Sequence, residues 1–209
     1  MRRRDKFAVD NYYHVCNRGV ERREIFLSER DFQRFIETLE HCLLDKRKPS
    51  KRNQKPINKV SIESPVEVVA FCLMTNHFHL LLKQHLENGL VAYLQRLSNS
   101  YAKYFNTKYK REGPLFQGPF KSVRMESEEH LLHLSRYIHL NPVVAGLVED
   151  PKAYKWSSYN SYINSEERTF VKPQIVLGQF SSIGSYKKFT LDQIDYAKKL
   201  EELKHLNLD

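Results

Sequence analysis

The pattern of hydrophobic and polar positions predicts alternating strands and helices along most of the chain. Asn11–Arg18 alternates and is rich in Tyr and Val, so a strand should run there and end at Gly19. Ser28 can cap the helix that follows. Apolar residues keep helical spacing through that helix, at Phe32, Phe35, Ile36, Leu39 and Leu43.

Two strands joined by a tight turn are predicted next. Val66–Met74 and His77–Gln84 are nearly continuous in apolar residues, with Thr75–Asn76 between them. Strands that are apolar on both faces are typical of central positions in a sheet. The sequence therefore predicts a buried hairpin at the centre of the fold.

A long amphipathic helix should follow the hairpin. Its apolar face consists of Leu90, Tyr93, Leu94, Leu97, Tyr101, Tyr104 and Phe105. Phe120–Met125 can form a further strand, and Ser127 can cap a helix with acidic residues in its first turn. That helix should end near Leu140, because the residue before Pro142 is disfavoured in the α region.

The order of these elements, β-α-β-β-α-β-α, predicts an α+β fold: a ferredoxin-like sandwich with a central antiparallel sheet and helices on one face. The helix that carries Tyr137 follows the sandwich. We assign residues 1–164 to this domain, with a basic insertion at 45–60, and residues 165–209 to a mainly helical extension. In the extension, Thr190–Gln193 resembles a capping box that opens a last helix to about Leu206.

Composition favours a soluble globular protein. Of the 209 residues, 41% are hydrophobic and 28% are charged, and no apolar run is long enough to span a bilayer. The first residues are not followed by the apolar core of a signal peptide, so we expect a cytoplasmic protein that does not enter membranes. Cys16, Cys42 and Cys72 lack metal-binding spacing, which predicts small core residues in a reducing compartment.

The net charge of +9 predicts a polyanionic partner, most simply nucleic acid, although an inert basic surface has the same sign. One group of cations crowds the insertion 45–60, which the composition predicts to be a loop. In a second group, cations alternate with aromatic residues: Lys103, Lys108, Lys110 and Arg111 with Tyr101, Tyr104, Phe105 and Tyr109. Such aromatic faces suit unpaired bases next to phosphates, and they equally fit the core side of a helix.

Candidate chemistry is concentrated in the hairpin, where His77 and His79 are two positions apart. Side chains at i and i+2 of a strand share a face, so both imidazoles can bind one metal ion, while Phe78 packs on the other side. The alternative is a pair in which one histidine is hydrogen-bonded and the other solvated. Further along, Tyr137 and Asn141 place a phenol and an amide one helical turn apart.

Five ordered blocks of the chain resemble the HUH (His–hydrophobic–His) single-strand DNA transposases of the IS200-like superfamily, in particular the REP-associated tyrosine transposases. The blocks are Tyr13–Gly19, Cys72–Leu82, Leu115–Val123, Arg136–Val148 and Trp156–Tyr159. Two features depart from that family. Thr75 stands where its members usually have proline, and the insertion 45–60 is longer than expected.

The resemblance implies a metal-dependent endonuclease and strand transferase that cuts single-stranded DNA, beside a hairpin, through a 5′-phosphotyrosine. It makes Tyr137 the catalytic nucleophile and His77, His79 and Asn141 the ligands of Mg²⁺ or Mn²⁺. The partner would be single-stranded or hairpin DNA, bound by a monomer or a homodimer. The candidate DNA-contacting residues are Arg18, Lys103, Tyr104, Lys108, Lys110, Arg111, Lys121 and Arg124.

Alternatives stay open for several residues. Asn141 can instead cap the helix end, and His133 or His139 can take its place as a ligand or be structural. Tyr137 can be a tyrosine at the edge of the core, and His14 is predicted to lie in a strand near the sheet edge. Two other functions are compatible with the sequence: a DNA or RNA hairpin-binding protein without catalytic activity, and a metal-dependent hydrolase in which water is the nucleophile.

Overall fold

The structure, a computed structural model, describes residues 7–43, 64–164 and 168–199. The strands are β1 (Tyr12–Arg18), β2 (Val66–Met74), β3 (His77–Gln84) and β4 (Lys121–Arg124), and the long helices are α1 (Glu29–Leu43), α2 (Gly89–Lys108) and α3 (Glu128–Val144). In these ranges no helix has the length and apolar character needed to cross a membrane. The basic insertion 45–60 lies outside the described residues.

The four strands form one antiparallel sheet in the order β2-β3-β1-β4. With α1 and α2 as the crossover helices, this is the ferredoxin-like arrangement, and the predicted α+β fold class is confirmed. The hairpin has the predicted bounds, because its strands are buried along nearly their whole length, as their apolar sequences require. The order makes β1 and β3 the central strands.

One face of the sheet is covered by α1 and α2. Phe78 of β3 packs against Phe35 of α1 with 5.1 Å between ring centroids, and Phe35 packs against Tyr101 of α2 at 4.9 Å. All three side chains are fully buried, and a buried Phe stabilises a fold by about 2 kcal/mol. Tyr101 and Phe105 are thus core residues of α2, which decides against their stacking on DNA bases.

The other face of the sheet is covered by α3, which packs on β2 and β3. Helices were predicted on one face only, and the structure adds α3 on the second. The cap at Ser127 is confirmed: its side chain accepts a hydrogen bond from the backbone N–H of His130 at 3.2 Å. The helices that follow are α4 (Tyr159–Ile163), α5 (Gln174–Leu177) and α6 (Ile183–Leu191). Because α5 and α6 pack against α3, the extension shares a core with the sandwich. The domain boundary between 164 and 165 stays a prediction.

Two predicted helix boundaries are wrong. α3 does not end near Leu140 but continues to Val144, with Pro142 inside it. A proline disfavours the helical conformation of the residue before it but does not exclude it. Here Pro142 and Val143 are buried, and their packing stabilises the last turn of α3. The last helix begins at residue 194, after the Thr190–Gln193 pattern, and its predicted end near Leu206 lies outside the described residues. Thr190 itself lies in the last turn of α6, which Ser182 caps, and its hydroxyl donates to the Tyr186 carbonyl.

Candidate active site

The two central strands bring several imidazoles to one face of the sheet. The register of β1 and β3 pairs Cys16 with His79 and Arg18 with His77. Residues paired across antiparallel strands point to the same side, so these four side chains share the face that α3 covers. His14, two positions before Cys16 in β1, points to this face as well. We call it the histidine face.

His79 lies between the other two histidines. Its Nδ1 is 3.0 Å from Nε2 of His14, and its ring meets the His77 ring edge-on, with 4.9 Å between centroids. Nδ1 of His77 is in turn 2.6 Å from Oδ1 of Asn76. The remaining nitrogen of His79, Nε2, is buried and has no hydrogen-bond partner among the described residues. A buried polar atom without a partner is costly, and a metal ion would satisfy this one.

Burial keeps the imidazoles of His79 and His14 neutral. The pKa of His79 is well below 6.5, because burial disfavours its charged form and because His77 and His14 are close by. Burial also lowers the pKa of His14. Since a metal ion binds only the neutral imidazole, the electrostatics of the site favour cation binding at neutral pH. The residues present therefore fit the divalent ion that the sequence predicts.

Two residues of this cluster were not recognised as site residues from the sequence. His14, Cys16 and His79 have nitrogen and sulfur atoms within 4.8 Å of one another, a group that could itself hold a metal ion. His14 was predicted near the sheet edge, but β1 is a central strand. Cys16 was predicted in the core and is only partly buried. The i, i+2 spacing in β1, combined with the ferredoxin-like strand order, was the available signal.

Tyr137 projects from α3 over the imidazoles. Its ring lies edge-on at 5.4 Å from the His79 ring and at 6.3 Å from the His14 ring, measured between centroids. Its side chain is nevertheless 46% exposed, so a substrate can reach it from solvent. The structure thus brings the predicted nucleophile beside one of the predicted metal ligands.

Asn141 lies one turn after Tyr137 on α3. Its Nδ2 donates to the backbone carbonyl of Tyr137 at 2.7 Å, which leaves Oδ1 as the amide atom suited to a cation. Its role as a ligand stays a prediction. Of the two alternatives, His139 is fully buried between Tyr186 and Ser158, and burial lowers its pKa to about 3, so it is structural.

The predicted DNA-contacting residues are distributed over different surfaces. Arg18 and Lys121 are exposed on the histidine face, where Lys121 pairs with Cys16. Arg124 pairs with Tyr13, so it points to the opposite face. Lys103 and Lys110 are exposed, and Arg111 donates to Asn106.

Tyr104 and Lys108 are engaged by a buried carboxylate. Tyr104 Oη and Lys108 Nζ lie 2.9 and 2.6 Å from Oδ1 of Asp31. Asp31 itself is fully buried at the start of α1. These two candidates therefore join α2 to α1 in the described structure, a role that the sequence did not indicate.

Comparisons with known proteins bear on the family and the fold of the chain. A family model described as "Transposase IS200 like" matches residues 8–141. A Haemophilus influenzae protein named as a REP-associated tyrosine transposase is 32% identical over 114 residues, which cover 49% of this chain and 64% of that protein, just under two thirds of its length. The solved structure of a REP-associated tyrosine transposase bound to a REP hairpin shares the fold, with a TM-score of 0.57 at 15% identity over 82% of this chain and 90% of that one. Because the family model spans more than half of the sequence, the chain belongs to the IS200-like transposase family.

Proposed function

We propose that this chain cleaves and rejoins single-stranded DNA, with Tyr137 as the nucleophile and a divalent ion, Mg²⁺ or Mn²⁺, held by His77 and His79. Asn141 would supply a third ligand through Oδ1. One observation carries the proposal: the exposed phenol of Tyr137 lies against His79, whose buried Nε2 has no partner among the described residues.

The reaction conserves the number of phosphorus–oxygen bonds. Tyr137 Oη attacks the scissile phosphorus, and the new O–P bond forms as the bond from phosphorus to the 3′-oxygen breaks. The phenol loses its proton to water, which reaches the half-exposed side chain, and the departing 3′-oxygen takes up a proton. The 5′-phosphate stays on Tyr137, so a 3′-hydroxyl from another strand can reverse the step and join DNA.

A phenol is a weak nucleophile near neutral pH, because its ordinary pKa is about 10. When bound, the metal ion would polarise the scissile phosphate and offset negative charge on its oxygens. The protein holds the other parts in place. Burial keeps His79 neutral, and the packing of α3 on β2 and β3 fixes Tyr137 above the strand that carries both histidines.

We propose hairpin DNA with single-stranded flanks as the substrate. The support is the relative of the same fold that binds a REP hairpin, together with a net charge of +9. Arg18 and Lys121 flank the imidazoles on the histidine face and would contact phosphates beside the scissile bond.

The test compares Tyr137→Phe with the parent on a labelled hairpin, with Mn²⁺ or Mg²⁺ and with excess chelator. The change removes one hydroxyl and keeps the ring, so the variant should bind the hairpin as tightly as the parent. The parent should form a denaturant-resistant complex with the 5′ end of the downstream fragment, and the variant should form none. Tyr196→Phe, which alters an exposed tyrosine in the extension, is the matched control and should form the complex.

Three outcomes would contradict the proposal in different ways. A covalent complex in Tyr137→Phe would assign the nucleophile to another residue. Cleavage by the variant without any complex would indicate a hydrolase that uses water. Tight hairpin binding by a parent that never cleaves would indicate a binding protein without catalytic activity.

A further inference from the structure

The contact between His14 and His79 is an in-plane hydrogen bond. The two rings are inclined by only 19°, yet their centroids are 5.2 Å apart, too far for face-to-face stacking. That separation is close to the 3.0 Å between Nε2 of His14 and Nδ1 of His79 plus one ring radius on each side. The imidazoles therefore lie side by side, with the hydrogen bond along the line between them.

Two arrangements of the shared proton are possible, and they leave His79 in different states. If Nε2–H of His14 donates, Nδ1 of His79 accepts, and the neutral His79 ring must carry its own proton on Nε2. That N–H would be buried with no acceptor among the described residues. If Nδ1–H of His79 donates instead, its Nε2 holds a lone pair that points away from His14. Only the second arrangement prepares His79 for a metal ion.

We propose that His14 is a positioning residue of the metal centre: its Nε2 accepts the Nδ1–H of His79 and so directs the His79 Nε2 lone pair toward the cation. The inference rests on the proposed function, which places a cation at His79. Histidines that bind a metal usually donate their second ring N–H to a carboxylate, a carbonyl or water. Here the acceptor would be the neutral imidazole of His14.

The neighbouring histidine has the same type of support. Oδ1 of Asn76 lies 2.6 Å from Nδ1 of His77, and an amide oxygen can only accept, so Nδ1 of His77 carries the proton. Both histidines of β3 would therefore present Nε2 to the cation and donate from Nδ1. His14 and Asn76 would then each accept the Nδ1–H of one histidine of β3.

A competing arrangement uses Cys16. One ring nitrogen of His14, Sγ of Cys16 and one ring nitrogen of His79 lie within 4.8 Å of one another and could form a thiolate site. A metal there that bound Nδ1 of His79 would replace the hydrogen bond with His14 and would leave the buried Nε2 unsatisfied. Burial also raises the pKa of the Cys16 thiol, which disfavours the thiolate that a metal requires. The arrangement in which His14 accepts from Nδ1 of His79 gives a partner to both ring nitrogens of His79 once Nε2 binds the cation.

The first measurement is the affinity of the DNA-free protein for Mn²⁺ by titration calorimetry. His14→Phe keeps a ring and removes the acceptor, and loss of such a supporting hydrogen bond weakens metal binding by about 10- to 100-fold. His14→Gln, whose amide oxygen can reach the position of Nε2, should restore most of the affinity. Cys16→Ser and His130→Phe, a change at an exposed histidine, should bind Mn²⁺ as the parent does.

The second measurement is the tautomer of His79, read from ¹⁵N chemical shifts of the metal-free parent, which needs no variant to fold. The proton should be on Nδ1 in the parent and in His14→Gln, and should move toward Nε2 in His14→Phe. A parent with the proton on Nε2 would overturn the inference, as would unchanged Mn²⁺ affinity in His14→Phe. Equal losses in Cys16→Ser and His14→Phe would instead make His14 a ligand. A parent that binds no Mn²⁺ would reject the proposed function itself.

Discussion

At the scale of single residues, Tyr137 differs from the tyrosines of α2 in its exposure to solvent. Tyr101 is fully buried, its hydroxyl donates to the Ile25 carbonyl at 2.5 Å, and burial raises its pKa. The hydroxyl of Tyr104 donates to Asp31. Tyr137 is half-exposed and lies beside His79, and this combination of exposure and position supports it, among the tyrosines of α2 and α3, as the proposed nucleophile.

His77→Ala should abolish metal-dependent nicking and leave the fold intact. His77 is partly exposed at the start of β3, so truncation should lower the free energy of unfolding by less than about 1 kcal/mol. Nicking of a labelled hairpin and urea unfolding measure the two effects. Leu81→Ala, a fully buried change in the same strand, should give the reverse pattern, with a loss of about 3 kcal/mol and detectable nicking. Full nicking by His77→Ala would contradict the role of His77 as a ligand.

The sequence alone was sufficient to name His77, His79 and Tyr137 as candidate site residues, because each lies in a short motif whose spacing or family resemblance carries information, and the structure brings Tyr137 beside His79. His14 and Cys16 are more than sixty positions from His79 and join it only through strand pairing. The ferredoxin-like order predicts that β1 and β3 are neighbours. It does not give the register, and a shift of one residue would turn His14 to the opposite face.

At the scale of secondary-structure elements, Asp31 joins the two helices of one sheet face. Its carboxylate accepts the backbone N–H groups of Leu27 and Ser28, each at 2.9 Å, and so caps the start of α1. From α2 it accepts Lys108 and Tyr104, and Tyr109 donates to it as well. The aromatic and cationic pattern at the end of α2, which suggested base stacking, reflects this junction in part.

Asp31→Asn should destabilise the protein by about 3 kcal/mol at neutral pH, because it leaves Lys108 facing a site without its charge partner. Burial raises the pKa of Asp31, but hydrogen bonds from Lys108, Tyr109, Leu27 and Tyr104 outweigh burial and lower it from 3.8 to about 2. Its contribution is therefore complete above the ordinary pKa and is lost as the pH falls toward 2.

Urea unfolding between pH 5 and pH 2.5 tests this dependence. The free energy of unfolding of the parent should fall more steeply than that of Asp31→Asn, since the variant has no carboxylate at this position to protonate. Glu29→Gln changes an exposed carboxylate in the same helix and should follow the parent. If the free energy of unfolding had the same pH dependence in the parent and in Asp31→Asn, the buried Asp31 carboxylate would not stabilise the fold as proposed.

Element boundaries show where local sequence signals compete. The strands of the hairpin have their predicted bounds, because a continuous apolar run between polar ends leaves little choice. Pro142 and the Thr190 capping pattern gave wrong boundaries. In both places tertiary packing decides, through the buried last turn of α3 and the alternative cap at Ser182.

At the scale of the whole molecule, the extension and the sandwich share buried contacts. Tyr186 Oη of α6 lies 2.7 Å from Nδ1 of His139 in α3, and both side chains are fully buried. Tyr186→Phe should lower the free energy of unfolding by about 1–3 kcal/mol, because it leaves a buried imidazole nitrogen without a partner. Tyr196→Phe makes the same chemical change at an exposed site and should have no effect. Equal stability of the two variants in urea would show that α6 contributes nothing at this contact.

Under the proposed function, the net charge of +9 should make DNA affinity dependent on salt, and the exposed cations of the histidine face should contribute most. The logarithm of the binding constant should fall linearly with the logarithm of salt concentration, and each lost phosphate contact should reduce that slope by about 1. Arg18→Ala and Lys121→Ala remove exposed cations of this face and should each do so for hairpin DNA with single-stranded flanks. Arg30→Ala removes an exposed cation from α1, on the other side of the sheet, and should leave the slope unchanged. Fluorescence anisotropy across a salt series gives all four slopes, and equal slopes for Arg18→Ala, Arg30→Ala and the parent would mean that DNA does not lie across the histidine face.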